Sequence, residues 1–191
     1  NPDIGKRAAE ETAEEIQDIL KGANMVFITA GFGGGTGTGA APIIAKAAKD
    51  LGILTVAVVT KPFMFEGAKR TAIAEDGLVR LRESVDALIV IPNDRILSVA
   101  PEGTTMENAF AMSDRILKEA VEGISDLITI PGRINVDFAD ILTIMGDAGS
   151  ALMGIGRATG ENRASEAALQ AINSPLLDIS IAGAKGVLLS V

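Results

Sequence analysis

The sequence predicts an α/β protein in which a Rossmann-like parallel sheet is followed by a long central helix and part of a second, α+β domain. Three observations carry this. Apolar runs at 24–30, 53–60 and 87–91 are nearly continuous and rich in β-branched residues, as in strands covered on both faces. Amphipathic helical patterns separate them, giving the strand–helix alternation of a parallel sheet. After Pro92 the alternation stops, and a single helical pattern runs from 105 to 129.

Residues 3–22 place Ile4, Ala8, Ile16, Ile19 and Leu20 at helical spacing among charges, and Gly22 ends the pattern. The strand at 24–30 leads through a glycine-rich turn into a helix at about 38–51, with Ile43, Ile44, Ala47, Ala48 and Leu51 on one face. The second strand, 53–60, is bounded by Lys61-Pro62, and a helix follows over 66–84. The third strand, 87–91, ends at Pro92. The long helix is marked by Phe110, Ile116, Leu117, Ala120, Val121 and Ile124; Gly123 inside it costs about 1 kcal/mol relative to Ala, which packing can offset. Pro131-Gly132 ends it, and Asn135-Val136-Asp137 opens a short helix carrying Ile141, Ile144 and Met145. A strand at about 150–158, a helix at 162–173, a break at Ser174-Pro175 and a strand at 186–191 complete the reading. The boundary between domains falls in or just after the long helix, dividing the chain into 1–112, 113–130 and 131–191.

Composition narrows the chemistry. An apolar share of 48% supports a substantial core, while 17 basic against 25 acidic residues, net −8, lacks the electrostatic footprint of a nucleic-acid binder. Cysteine and histidine are both absent, which removes disulfides, thiol and Ser–His nucleophiles, and the usual zinc sites. Carboxylates, hydroxyls, backbone dipoles and a hard metal ion remain. No run of about 18 apolar residues is present to span a membrane. The N-terminus has neither an initiator Met nor a signal-peptide pattern, so it reads as the interior of a longer, cytoplasmic chain.

The most telling stretch is Gly31-Phe-Gly-Gly-Gly-Thr-Gly-Thr-Gly-Ala-Ala-Pro42, between a strand and a helix. Glycines let backbone approach a ligand closely, and the N–H groups of a first helical turn lack helical partners and favour anions. Thr36 and Thr38 add hydroxyls where a phosphate oxygen or metal-bound water could be met. A Walker A loop is excluded because no Lys follows the glycines. The dinucleotide pattern G-x-G-x-x-A fits Gly35–Ala40, but the tip of the next strand, Thr60-Lys61, offers no ribose-binding acid before Glu66. A packing turn without a ligand is the plainest alternative, although five glycines in seven residues cost more backbone entropy than a turn requires.

Several further residues have ordinary readings. Glu66 and Arg70, four apart, would be an i,i+4 pair on one helix face, worth about 0.2–0.5 kcal/mol. Phe110 would be core, and Asp114 would complement a helix dipole. Asp137 and Asp140, three apart, would cap a helix, although paired carboxylates can also orient a water against a phosphate.

Taken in order, Gly33-Gly-Gly-Thr-Gly-Thr-Gly39, Lys61-Pro-Phe63 with Phe65-Glu-Gly67, Ile91-Pro-Asn-Asp94 and Asn135-Val-Asp-Phe-Ala-Asp140 resemble the signature loops of the tubulin/FtsZ family of GTPases, specifically its bacterial cell-division members. The matching covers essentially the whole chain at the family's spacing. The resemblance implies a tubulin-type GTP-binding domain over 1–112, a connecting helix over 113–130, and a catalytic loop with a partial C-terminal domain over 131–191. It implies that Gly34, Gly35, Thr36, Gly37 and Thr38 hold the phosphates of GTP or GDP and that Glu66 and Arg70 lie beside ribose and phosphates. Phe110 would stack on guanine, and Asp114 would accept from its N1–H and 2-amino group. Mg²⁺ is the expected charge neutraliser. Asp137 and Asp140 would be catalytic in trans, projecting into the nucleotide site of the next subunit of a head-to-tail homopolymer. Other cell-division proteins are expected partners, with no nucleic acid and no direct membrane insertion, at a ring in mid-cell. The family's chains begin with a strand and a second glycine-rich loop that have no counterpart here, and Asn1 falls about where the γ-phosphate loop ends. A non-catalytic assembly or regulatory module of the same fold is the alternative, with a NAD-binding protein more distant.

Overall fold

The structure, a computed structural model, describes residues 1–130, 137–174 and 183–189. Two helices open it, α1 (Pro2–Glu11) and α2 (Ala13–Leu20), followed by β1 (Met25–Gly31), α3 (Thr36–Asp50), β2 (Leu54–Lys61), α4 (Ala68–Arg82) and β3 (Ala87–Pro92). Then come α5 (Asn93–Ser98), α6 (Met106–Thr129), α7 (Phe138–Met145), β4 (Gly149–Ala151) and α8 (Arg163–Ile172). The strands form one parallel sheet in the order β1-β2-β3-β4.

β2 shows why the apolar runs are continuous. Leu54, Val56 and Val58 face one layer, with Ile89, Ala120, Ile124 and Ile141. Ala57 and Val59 face the other, with Ile28, Ala45, Leu78, Leu81 and Leu88. Val56, Val58 and Val59 are wholly buried, each contributing roughly 1.5–3 kcal/mol by leaving water. α3 and α4 therefore cover one face, and α6 and α7 the other. β1 pairs only with β2 among the described residues; Ile28 is its one buried residue, and Met25, Val26 and Phe27 are half-covered, unlike the fully buried strand its composition suggests.

Four expectations are corrected. The helix read at 3–22 is two helices, broken at Thr12, where the backbone turns to φ −107°, ψ 20° and the hydroxyl donates back to the Ala8 carbonyl at 3.0 Å. The helix read at 66–84 begins at Ala68, because Gly67 takes φ +98° and leaves Glu66 in a separate 3₁₀ turn, Met64–Glu66. The strand read at 150–158 is confined to Gly149–Ala151. Beyond it the chain leaves the sheet and lies on α8, where Gly154 and Gly156 press against the backbone of Ala171 and Ala167, leaving no room for side chains. Residues 186–189, expected in a strand, carry none, and 190–191 lie outside the described residues, as do Asn135 and Val136. Helix α5 was not foreseen in the Ile91–Asp94 turn. The long helix is observed nearly as read, its start capped by the Thr105 hydroxyl accepting the Asn108 N–H at 3.2 Å.

Candidate functional site

The glycine loop leaves β1 at its carboxyl end, where open α/β sheets bind ligands. Phe32 is buried, and its N–H donates to the Thr60 carbonyl at 2.9 Å, tying the loop to β2. Gly33 then takes φ +100° with its N–H donating to Thr38 Oγ1 at 3.0 Å. The two threonines thus differ. Thr38 is wholly buried and its hydroxyl braces the loop, whereas Thr36 is exposed at the start of α3. No side chain caps α3, so the orphan N–H groups of its first turn have no side-chain acceptor.

Gly34 is the informative glycine. Its φ lies outside the left-handed region, and no atom stands within 4 Å of where a Cβ would be. Neither backbone strain nor packing requires glycine there, so the space beside Gly34, next to the uncapped start of α3, is open. Gly35 and Gly39, in contrast, are explained by protein alone, because the start of α1 lies directly against them.

Beside the loop, Glu66 is held by two partners. Its Oε1 accepts the Phe63 N–H at 2.9 Å, and its Oε2 accepts from Arg70 Nη1 at 2.6 Å. The carboxylate is nearly covered while the guanidinium stays exposed, and Arg70 backbone lies 3.0 Å from the Cβ position of Gly33. The pair expected on one helix therefore spans a 3₁₀ turn and the start of α4, and it abuts the glycine loop. The buried Phe63 stacks on Phe65 at 4.8 Å, and Phe110 meets both edge-on at 5.2 and 6.1 Å. Phe110 remains partly exposed, so it is not simply core. Asp114, one turn further along α6, is exposed.

Sequence reading missed two residues here. Asn93, the first residue of α5 directly after β3, is buried and accepts from Ser113 Oγ at 2.7 Å, which fixes its amide one residue from Asp114. Asp94 Oδ1 accepts the Met64 N–H at 2.9 Å, tying the α5 start to the Phe63–Glu66 turn. A polar pair at a strand's carboxyl end was the available signal.

Asp137 and Asp140 are not brought to this cleft. Both are exposed at the start of α7, whose Ile141 and Met145 pack in the layer with Leu54 and Ala87. The chain after α7 reaches the amino end of β3, where the Gly149 N–H donates to the Asp86 carbonyl at 2.8 Å. The two acids form a reciprocal capping box. Asp137 Oδ1 accepts the Asp140 N–H at 2.9 Å, and Asp140 Oδ2 accepts the Asp137 N–H at 3.3 Å. The capping role is thus real and uses one carboxylate oxygen of each acid. Among the described residues, no group of three or more acidic side chains gathers to hold a metal ion, and no helix is long and apolar enough to cross a membrane.

Comparison with known proteins follows the same lines. The family model for the Tubulin/FtsZ family, GTPase domain, matches residues 1–101. The chain belongs to the Tubulin/FtsZ family. A second model, that of the FtsZ family, C-terminal domain, matches residues 149–191 and points to FtsZ within it. Among solved structures, an empty FtsZ dimer from M. jannaschii is 50% identical over 93% of this chain and 52% of its own, with a TM-score of 0.90. A mutant FtsZ from M. jannaschii matches at the same identity and TM-score, covered over 53% of its length. CetZ2 from Haloferax volcanii, solved as a GTPγS-bound protofilament, is 24% identical over 84% of this chain and 47% of its own, TM-score 0.66, a likeness of fold alone. The chain spans about half the length of these structures.

Proposed function

We propose that the chain carries two half-sites of an FtsZ-type GTPase that polymerises head to tail. The observation that carries this reading is the open seat at Gly34 before the uncapped start of α3, with Glu66, Arg70 and Phe110 along the same sheet edge and Asp137 and Asp140 at the other end. Backbone N–H groups from Gly34 to Thr38 hold the phosphates, Thr38 bracing the loop and Thr36 offering its exposed hydroxyl. Arg70, oriented by Glu66, lies on the ribose and phosphate side. Phe110 stacks on the base, and Asp114 accepts from the guanine N1–H and 2-amino group, donors that adenine lacks. Thr36 Oγ1, exposed at the start of α3, would be a side-chain oxygen for Mg²⁺, which would neutralise phosphate charge.

The acids open a helix packed on Leu54 and Ala87, at the amino ends of β2 and β3, whereas the glycine loop leaves the carboxyl end of β1, so on this reading one chain does not complete the reaction on its own nucleotide. A second copy stacked head to tail supplies Asp137 and Asp140 to orient the attacking water. Such contacts are heterologous and do not close, so they build filaments. The FtsZ likeness and the dimeric relative support self-association; a division-site ring and other cell-division proteins as partners extend that reading.

Phosphate release measured against concentration of the full-length protein tests this. A polymer-activated GTPase rises more steeply than linearly above a threshold; a flat response favours the non-catalytic assembly module. Thr36→Ala should weaken GTP binding by roughly tenfold, the scale of one hydrogen bond to a charged group, as read by equilibrium titration with labelled nucleotide.

A further inference from the structure

Lys49 lies in the last turn of α3, at the opposite end of that helix from the glycine loop. Its Nζ reaches Asp147 Oδ1 at 3.1 Å and Asp86 Oδ1 at 3.5 Å. Asp86 is nearly buried, at 13% side-chain exposure, and is committed elsewhere too: its Oδ2 accepts the Thr55 N–H at 2.8 Å, and its carbonyl accepts the Gly149 N–H. Asp147 stands two residues past α7 at φ +51°, the one non-glycine residue with positive φ among the described residues. The clasp thus joins the end of α3, the turn before β3 and the turn after α7.

A partly exposed ion pair contributes at most about 1 kcal/mol to folding, so stability alone is a weak reason for it. Position is a better one. α7 has eight residues and is held in the apolar layer through Phe138, Ile141 and Met145, contacts that are not directional. The ion pair two residues beyond its C-terminus adds a directional tie at the end opposite Asp137 and Asp140. The hydrogen bond to Asp147, opposed by partial burial and aided by the Asp86 charge, holds Lys49 above its ordinary pKa.

We propose that Lys49 is a positioning residue: anchored by Asp86 and gripping Asp147, it sets the attitude of α7 and hence the delivery of Asp137 and Asp140 to the neighbouring subunit. This rests on the function proposed above. It also makes α3, 15 residues and about 22 Å long, the connection between the two half-sites of one subunit, with the phosphate loop at one end and the clasp at the other.

The test uses the full-length protein. Lys49→Met should lower GTP turnover at saturation roughly three- to tenfold, the scale of a small misplacement, with GTP affinity unchanged and turnover restored in Lys49→Arg. Mixing locates the defect. Lys49→Met chains co-assembled with Asp140→Ala chains should turn over no faster than the sum of the two alone, because neither supplies a good acid loop. A mixture faster than that sum would place the defect at the nucleotide loop and overturn the proposal. So would unchanged turnover, or affinity falling in step with it. Wild-type protein without GTP turnover would instead overturn the parent reading.

Discussion

Asp140→Asn should lower GTP turnover by roughly two to three orders of magnitude, the range assigned to a positioned acid–base group, while nucleotide affinity stays as it was. The structure makes Asn the sharper substitution. Asp140 accepts the Asp137 N–H and donates its own N–H to Asp137, so the acids cap α7 whatever else they do. An Asn oxygen can keep both bonds; Ala removes the one that Asp140 accepts and leaves its N–H on Asp137, adding a structural loss of about 1 kcal/mol or less. Affinity is read at the chain's own cleft, at the opposite end of the sheet, which is why the two measurements should separate. Full turnover in Asp140→Asn with loss only in Asp140→Ala would mean the residue is a cap and nothing more. Affinity falling together with turnover would defeat the assignment in trans.

How much of this was legible beforehand depended on whether the signal was local. The strands at 54–61 and 87–92 were readable because burial on both faces leaves no polar alternation, and the long helix because its stripe and its Thr105 cap are both in sequence. The breaks at Thr12 and Gly67 were not, since each is a single backbone turn within a pattern that stays amphipathic. The stretch after Ala151 read as a strand from its apolar residues, but the contact that decides its course, Gly154 and Gly156 against α8, is tertiary. The same division holds in the candidate site. Spacing gave the Glu66–Arg70 pair and the Asp137–Asp140 cap, but not that the pair abuts Gly33, that Thr38 turns inward, or that Asn93 sits beside Ser113. Distances across the fold decide those, and periodicity does not contain them.

One substitution, made at two glycines, should shift stability in opposite directions. In a helix interior Gly→Ala gains about 0.5–1 kcal/mol, because Ala loses less backbone entropy. Gly123, within α6, meets that simple case: the nearest atom to its Cβ position is Met153 Sδ at 3.9 Å, ordinary contact. Gly123→Ala should therefore raise the unfolding free energy by that amount, read as a higher denaturant midpoint at unchanged m. Gly39, in α3, has the same helical backbone but no room. A Cβ there would strike the Pro2 carbonyl and stand 2.7 Å from the Lys6 nitrogen, both backbone atoms of α1 that no rotamer change can move. The overlap forces α1 away from α3, at a cost of about 2–4 kcal/mol that outweighs the propensity gain. Because Asn1 lies against Gly35, displacing α1 also disturbs the glycine loop, so on the proposed function Gly39→Ala should weaken GTP binding where Gly123→Ala leaves it alone. Chemical denaturation and nucleotide titration of both variants check the pair. If Gly39→Ala were as stable as wild type, α1 could not lie on α3 in backbone contact, and the loop would be free of the support assigned to it.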